Sequence, residues 1–296
     1  MNLPLISIII PVKAEVEALK VSLDSLRSST YPKAFMQIIV VNDGGANDIS
    51  QVLKQTYPEV EEVVYPEVKG SYYARNRGVE VAKGKWLLFM DTDMQVPPPT
   101  ISRIVEKCFP NHDYIATDYR LEVKENQPFY EKYFSYQVFN IRTYFKSHHF
   151  GGTAFLFVKR EVFKAIDGFD ERLYSGGDNL FGKQVYYKGY KTYFFDEFII
   201  WHKPKNFSQL NEAFYRTANG IYLLSKLYPN LYTYSPVKNI LKWPWSFVKS
   251  NLFVFYKKVP PKMNRITFFL AINLRILMRL HLLVTQLTNG SNVKKK

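Results

Sequence analysis

The stretch GKWLLFMDTDMQVPPP, residues 84–99, drives five apolar residues, Trp86 to Met90, straight into two carboxylates, Asp91 and Asp93. Pro97, Pro98 and Pro99 then forbid a continuing ladder. A run with no polar alternation belongs to a strand buried on both faces, as in a parallel sheet covered by helices. In such sheets ligands bind beyond the carboxyl ends of the strands. The two aspartates therefore fall where a ligand would sit.

The flanking sequence repeats the pattern. LISIII ends at Pro11, and a helical pattern follows from Val16 to Ser28. MQIIVV (36–41) runs into the turn cluster NDGG, a helical pattern covers 48–57, and EEVVY is a short strand. SYYARNRGVEVAKG reads as a helix ended by Gly84. Further on, FGGTAFLFVKREVFKAIDGFDE (150–171) predicts a strand, a short helix and a glycine turn. SGGDNLFGKQVYYKGY (175–190) predicts a helix from near Asp178 to Gly189, and KTYFFDEFIIWHKP is strand-like and carries His202. Alternating strands and helices predict an α/β fold with a mostly parallel central sheet flanked by helices.

The 296 residues suffice for one large domain with an appendage, and 47% hydrophobic with 22% charged residues excludes a disordered chain. The net charge of +14 fits nucleic acid, an anionic membrane or phosphate-rich substrates. No zinc-finger spacing or RNP aromatic motif is present, so nucleic acid is not the expected partner. Cys108 is the only cysteine, which suits a reducing compartment. The N-terminus has no basic n-region and no small-residue cleavage site, and reads as a first strand.

From about Pro236 the composition turns apolar, aromatic and basic. The boundaries expected are 1–235 for the α/β domain and 236–296 for a helical appendage. Ile266–Leu287 is long enough to span a bilayer, but Arg275, Arg279 and His281 lie in its middle. Each central arginine costs roughly 2.5–3.5 kcal/mol on the insertion scale. Arg275, Arg279 and Gln286 share one helical face, so the expectation is an amphipathic helix at a membrane surface, with helical packing on the domain as the alternative.

Two carboxylates one residue apart repel, and a divalent cation relieves them. Mg²⁺ takes one or two carboxylates plus substrate phosphates, which makes Asp91-x-Asp93 a candidate diphosphate-metal site; alone, it is also a common turn string. Asp43 is placed to meet a nucleobase edge or to stabilise an Asx turn. Arg75, Asn76 and Arg77 offer planar donors to a base or phosphate, or form a solvated helix face. Asp178 follows two glycines and could simply be an N-cap, and His202 could be structural.

Taken in order, SIIIPVKAE (7–15), YPKAFMQIIVVNDGGAND (31–48), ARNRG (74–78), GKWLLFMDTD (84–93), GGTAFLFVKREVFKAIDGFDE (151–171) and GGDNLFGKQVYYKGY (176–190) resemble family 2 glycosyltransferases. The resemblance covers roughly residues 5–205. It implies a GT-A fold and an inverting sugar transfer from a nucleotide sugar to an acceptor hydroxyl, assisted by Mg²⁺ or Mn²⁺. Pro11, Glu15, Asp43, Arg75, Asn76 and Asp91 would line the nucleotide pocket. Asp93 and His202 would hold the metal, and Asp178 would be the general base. Gly151, Gly152, Thr153 and Gly177 would border the acceptor and diphosphate.

The chain departs from the family at Gly177, where glutamate is common, at Asn42 and Gly45, and at Lys13–Ala14. The Gln-x-x-Arg-Trp motif of processive synthases is absent, which favours single addition over polymerisation. The expected setting is the cytoplasmic face of a membrane, with a glycan or lipid-linked acceptor in polysaccharide or glycolipid assembly. Gly177 and the NDGG turn leave open a non-catalytic nucleotide-sugar binding or scaffold protein on the same fold. A nucleotidyltransferase fits less well, because PVKAEVEALK after the first strand contains no glycine.

Overall fold

The computed structural model describes residues 3–121, 141–202 and 207–232. The chain divides into two compact units, 1–122 with 140–203, and 123–139 with 204–296.

The first unit opens with β1 (Ile6–Val12), α1 (Val16–Arg27), β2 (Met36–Asp43), α2 (Asn47–Thr56), β3 (Glu61–Tyr65) and α3 (Ser71–Val81). It continues through β4 (Trp86–Met90), β5 (Met94–Gln95), α4 (Thr100–Cys108) and β6 (Tyr114–Leu121). The described part then resumes with α5 (Ile141–His148), β7 (Phe155–Lys159), α6 (Arg160–Ile166), α7 (Gly177–Tyr187) and β8 (Thr192–His202).

Among the described residues eight strands form one sheet in the order β3-β2-β1-β4-β7-β6-β8-β5. β1 pairs in parallel with β2 and β4, in register Ile8↔Ile38 and Ile8↔Leu88, and β2 pairs in parallel with β3. β7 runs antiparallel to both β4 and β6, whereas β6 and β8 are parallel. The core lies on these central strands: every residue from Trp86 to Met90 is buried, as are Ile8, Ile9, Ile10 and Phe155 to Val158. Apolar runs without alternation are thus buried on both faces, as a covered sheet requires.

The glycine expected to stop α3 does other work. The helix ends at Val81, three residues before Gly84. Side chains capture its last carbonyls: Gln37 Nε2 donates to Val81 O (3.2 Å) and Arg160 donates to Ala82 O (2.7 Å). Gly84 instead passes against β1, where a Cβ would come within 2.6 Å of Ser7 N and 2.8 Å of Leu5 O.

Of the second unit only 207–232 is described, with α8 (Phe207–Leu227) its helix. No helix among the described residues is long and apolar enough to cross a membrane. The basic aromatic stretch 236–296, including Ile266–Leu287, lies outside the described residues.

Candidate active site

α1 shapes the turn that follows β4. Ala18, Ser22 and Ser25 lie on one side of that helix at helical spacing. Asp93 N–H donates to Ala18 O (2.9 Å), and Met94 N–H donates to Ser22 Oγ (2.9 Å). Ser22 Oγ donates to Asp91 O (3.2 Å), and Val96 N–H donates to Ser25 Oγ (2.6 Å). Asp93 takes a left-handed backbone, φ 65°, a conformation that Asp and Asn tolerate better than most residues. β5 then pairs antiparallel with the end of β8, setting Met94 opposite His202. This brings His202 Nε2 within 3.4 Å of Asp93 Oδ1, with both side chains largely shielded.

Asp91 has a different partner. Arg75 of α3 donates from Nη2 to Asp91 Oδ1. The arginine is only 3% exposed, and its Nε has no hydrogen-bond partner among the described residues. The Asp91 side chain keeps 36% of its surface open. Two like charges at one strand end thus acquire different neighbours, a guanidinium for Asp91 and an imidazole for Asp93.

Asp178 lies in the first turn of α7, after Gly176, whose φ of 82° turns the chain into the helix. Its Oδ1 accepts Asn179 N–H (2.8 Å) and the phenol O–H of Tyr72 (3.3 Å). Burial pushes the Asp178 pKa above the ordinary carboxylate value, and Asp91 adds to the shift; Asn179 N–H, Arg75 and Tyr72 oppose it. Tyr119 of β6 is buried beside the same charges, and its phenol is raised well above its usual value by burial, Asp178 and Asp91. A Cβ on Gly152 would overlap the Tyr119 hydroxyl, and one on Gly151 would lie 2.3 Å from Ala116 Cβ. The buried run Gly151–Gly152–Thr153 therefore packs against β6 by virtue of lacking side chains at its first two positions.

The remaining candidates divide. Both oxygens of Asp43 accept backbone N–H groups, from Lys69 and Gly70 (2.8 Å each), so it brackets the loop that leads into α3. Pro11 is half-buried near the end of β1. Glu15 is exposed, and its carboxylate accepts Ala14 N–H (3.1 Å) within its own loop. Asn76 is turned to the 168–171 segment: it donates to Phe169 O (2.8 Å) and Glu171 Oε1 (2.9 Å) and accepts Phe169 N–H (3.0 Å). Its amide is not gathered with Arg75 and Asp91. Sequence reading missed Tyr72, Tyr119 and Ser22. Ser22 left a trace, as a hydroxyl among Leu19, Leu23 and Leu26 on the buried face of α1.

Known proteins share this framework. The chain is 28% identical over 223 residues to Glycosyltransferase AglE of Haloferax volcanii, covering 74% of this chain and 73% of that one. It is 32% identical over 117 residues to an undecaprenyl-phosphate 4-deoxy-4-formamido-L-arabinose transferase of Pseudomonas fluorescens, covering 38% and 34%. The fold matches the mannosyltransferase PcManGT of Pyrobaculum calidifontis in complex with GDP-Man and Mn²⁺, with a TM-score of 0.66, 14% identity and coverage of 97% and 87%. It also matches S. aureus TarS 1–349 in complex with UDP-GlcNAc, with a TM-score of 0.56, 17% identity and coverage of 73% and 66%. These are GT-A-like neighbours, as the strand order and flanking helices anticipate. The description Glycosyl transferase family 2 matches residues 7–167, a span that includes Asp43, Arg75, Asp91 and Asp93 and more than half of the chain, and the protein accordingly belongs to that glycosyltransferase family.

Proposed function

We propose that this glycosyltransferase moves a sugar from a nucleotide sugar, a UDP-sugar by expectation, to an acceptor hydroxyl by single displacement with inversion. The observation that carries the reading is the unequal treatment of three carboxylates. Asp91 and Asp93 each face a cationic or ligating partner, whereas Asp178 makes no ion pair among the described residues and has a raised pKa. A carboxylate of raised basicity is suited to accept a hydroxyl proton near neutral pH. One base and no covalent nucleophile gives attack from the face opposite the leaving diphosphate, the logic of inverting hydrolysis with a hydroxyl in place of water.

Among the described residues no group of three His, Cys, Asp or Glu is gathered to hold a metal by itself. The approach of Asp93 to His202 fits a cation that takes two protein ligands and completes its shell from diphosphate oxygens. Mg²⁺ or Mn²⁺ held there would neutralise charge on the leaving diphosphate. The Mn²⁺ in the mannosyltransferase structure supports this choice. Arg75 keeps Asp91 oriented at the site, and Asp43 fixes the loop over which a nucleoside would lie. The undecaprenyl-phosphate transferase relative and the basic C-terminal sequence support a lipid-linked acceptor at the cytoplasmic face of a membrane, in polysaccharide or glycolipid assembly.

Calorimetric titration with UDP, GDP, dTDP and CDP, with and without Mn²⁺, tests the donor site. One nucleotide is expected to bind in a metal-dependent manner, and Asp93→Asn, which tolerates the left-handed backbone, is expected to remove the metal dependence. Metal-independent affinity equal for all four nucleotides would overturn the reading.

A further inference from the structure

Tyr72 touches the proposed base at two points and the residue before it at a third. Its phenol oxygen accepts Gly177 N–H (3.0 Å) and Asp178 N–H (3.3 Å), and its own proton points to Asp178 Oδ1 (3.3 Å). The tyrosine is 6% exposed, and its ring rests on Phe169 at 5.4 Å between centroids. Residue 177 has no side chain in the way: a Cβ there would come within 2.7 Å of Tyr72 Cε2. A phenol that accepts two backbone donors keeps its single proton for the carboxylate. Burial and the Asp178 charge both disfavour the phenolate, so Tyr72 stays a donor.

Both hydrogen bonds to Asp178 therefore fall on the same oxygen. Oδ1 receives Asn179 N–H and the Tyr72 hydroxyl, while no hydrogen bond among the described residues falls on Oδ2. We propose that Tyr72 is a positioning residue that gives the two oxygens of Asp178 different tasks, holding Oδ1 and leaving Oδ2 to take the acceptor's proton. This rests on the reading of Asp178 as the base. In the step, the acceptor oxygen bonds to the anomeric carbon, its proton passes to Oδ2, and the bond to the diphosphate breaks with its electron pair on the leaving oxygen. Gly177 belongs to the same device, since only a residue without a side chain admits the Tyr72 ring at this distance.

The groups that act electrostatically on Asp178 are Tyr72 and Arg75 from α3, Asp91 after β4, and Tyr114 and Tyr119 from β6. Of these, Tyr72→Phe removes one hydrogen bond to the carboxylate and keeps the ring. The full chain carrying ¹³Cγ-labelled aspartate is titrated by NMR, with the Asp178 signal identified as the one missing from Asp178→Asn. In Tyr72→Phe the Asp178 midpoint is expected to move up in pH, because a bond that favours the charged form has gone. Nucleoside diphosphate release from UDP-glucose and GDP-mannose is followed in parallel across pH. Its acid limb is expected to move the same way, with turnover reduced about tenfold for the loss of one bond to a charged group. Gly177→Ala, which crowds the ring, is expected to reproduce the shift and serves if Tyr72→Phe does not fold. An unmoved Asp178 midpoint in a folded variant overturns the role of Tyr72. Wild-type turnover in Asp178→Asn overturns the base reading itself.

Discussion

Asp178 sits half-buried at the head of α7, where low local polarity disfavours its ionised form. Below the unfolded-state pKa the group is protonated in both folded and unfolded chains, and burial costs little. As pH rises through the interval up to the raised folded-state pKa, the folded chain binds more protons than the unfolded one, so stability falls. Asparagine carries no such charge. Asp178→Asn is therefore expected to raise the melting temperature at pH 7 and to lose that advantage near pH 3, while turnover drops about a hundred- to ten-thousand-fold. A thermal-unfolding series across pH beside a donor-turnover assay checks both halves, and a gain equally large at acid pH would contradict the account. The carboxylates at 91 and 93 stood out in the sequence by residue type and setting, and Asp178 only through the family resemblance. Their partners did not, because Arg75–Asp91 and Tyr72–Asp178 join residues far apart in sequence.

Helix α1 is the template for the Asp91–Val96 turn, through Ala18 O, Ser22 Oγ and Ser25 Oγ. Ser22 is fully buried and serves the turn twice, donating to Asp91 O and accepting from Met94 N–H. Ser22→Ala removes the acceptor of a buried donor, and the expected loss is about 1–3 kcal/mol in urea unfolding. Metal-dependent nucleotide affinity is expected to fall with it, since the aspartates lose their support. Unchanged affinity in the destabilised variant would mean that the turn holds its shape without Ser22. β1 to β4, β7, β8 and α1 to α3 followed from apolar runs and turn residues in the sequence, whereas β6 was not anticipated. Nor was β5, because Met94–Gln95 is too short for any pattern and exists only by pairing with Trp201 and His202. The direction of β7 was equally hidden, since apolar runs look the same in parallel and antiparallel neighbours. Gly84 misled as a helix stop because close approach to β1 and termination of a helix both call for glycine.

For the whole molecule, the excess of positive charge is a property of the sequence and concentrates in 236–296. The intact chain is expected to sediment with vesicles containing anionic lipid and to be released as ionic strength rises, because screening weakens surface attraction within about 8–10 Å at physiological salt. Equal sedimentation with neutral vesicles at high salt would contradict an electrostatic contribution. The pairing of β5 with β8 carries a consequence for biogenesis. Asp93 is translated long before His202, and the two meet only when the last strand of the first unit joins the sheet. Contacts between such distant residues must first overcome the entropy of closing the intervening chain, so they are slow to form. A nascent chain on the ribosome thus carries its Asp-x-Asp turn without its histidine. The pair proposed to hold the cation can assemble only after residue 202 has emerged, so under that proposal a half-made polypeptide is kept from engaging a donor through it before the rest of the domain is ready.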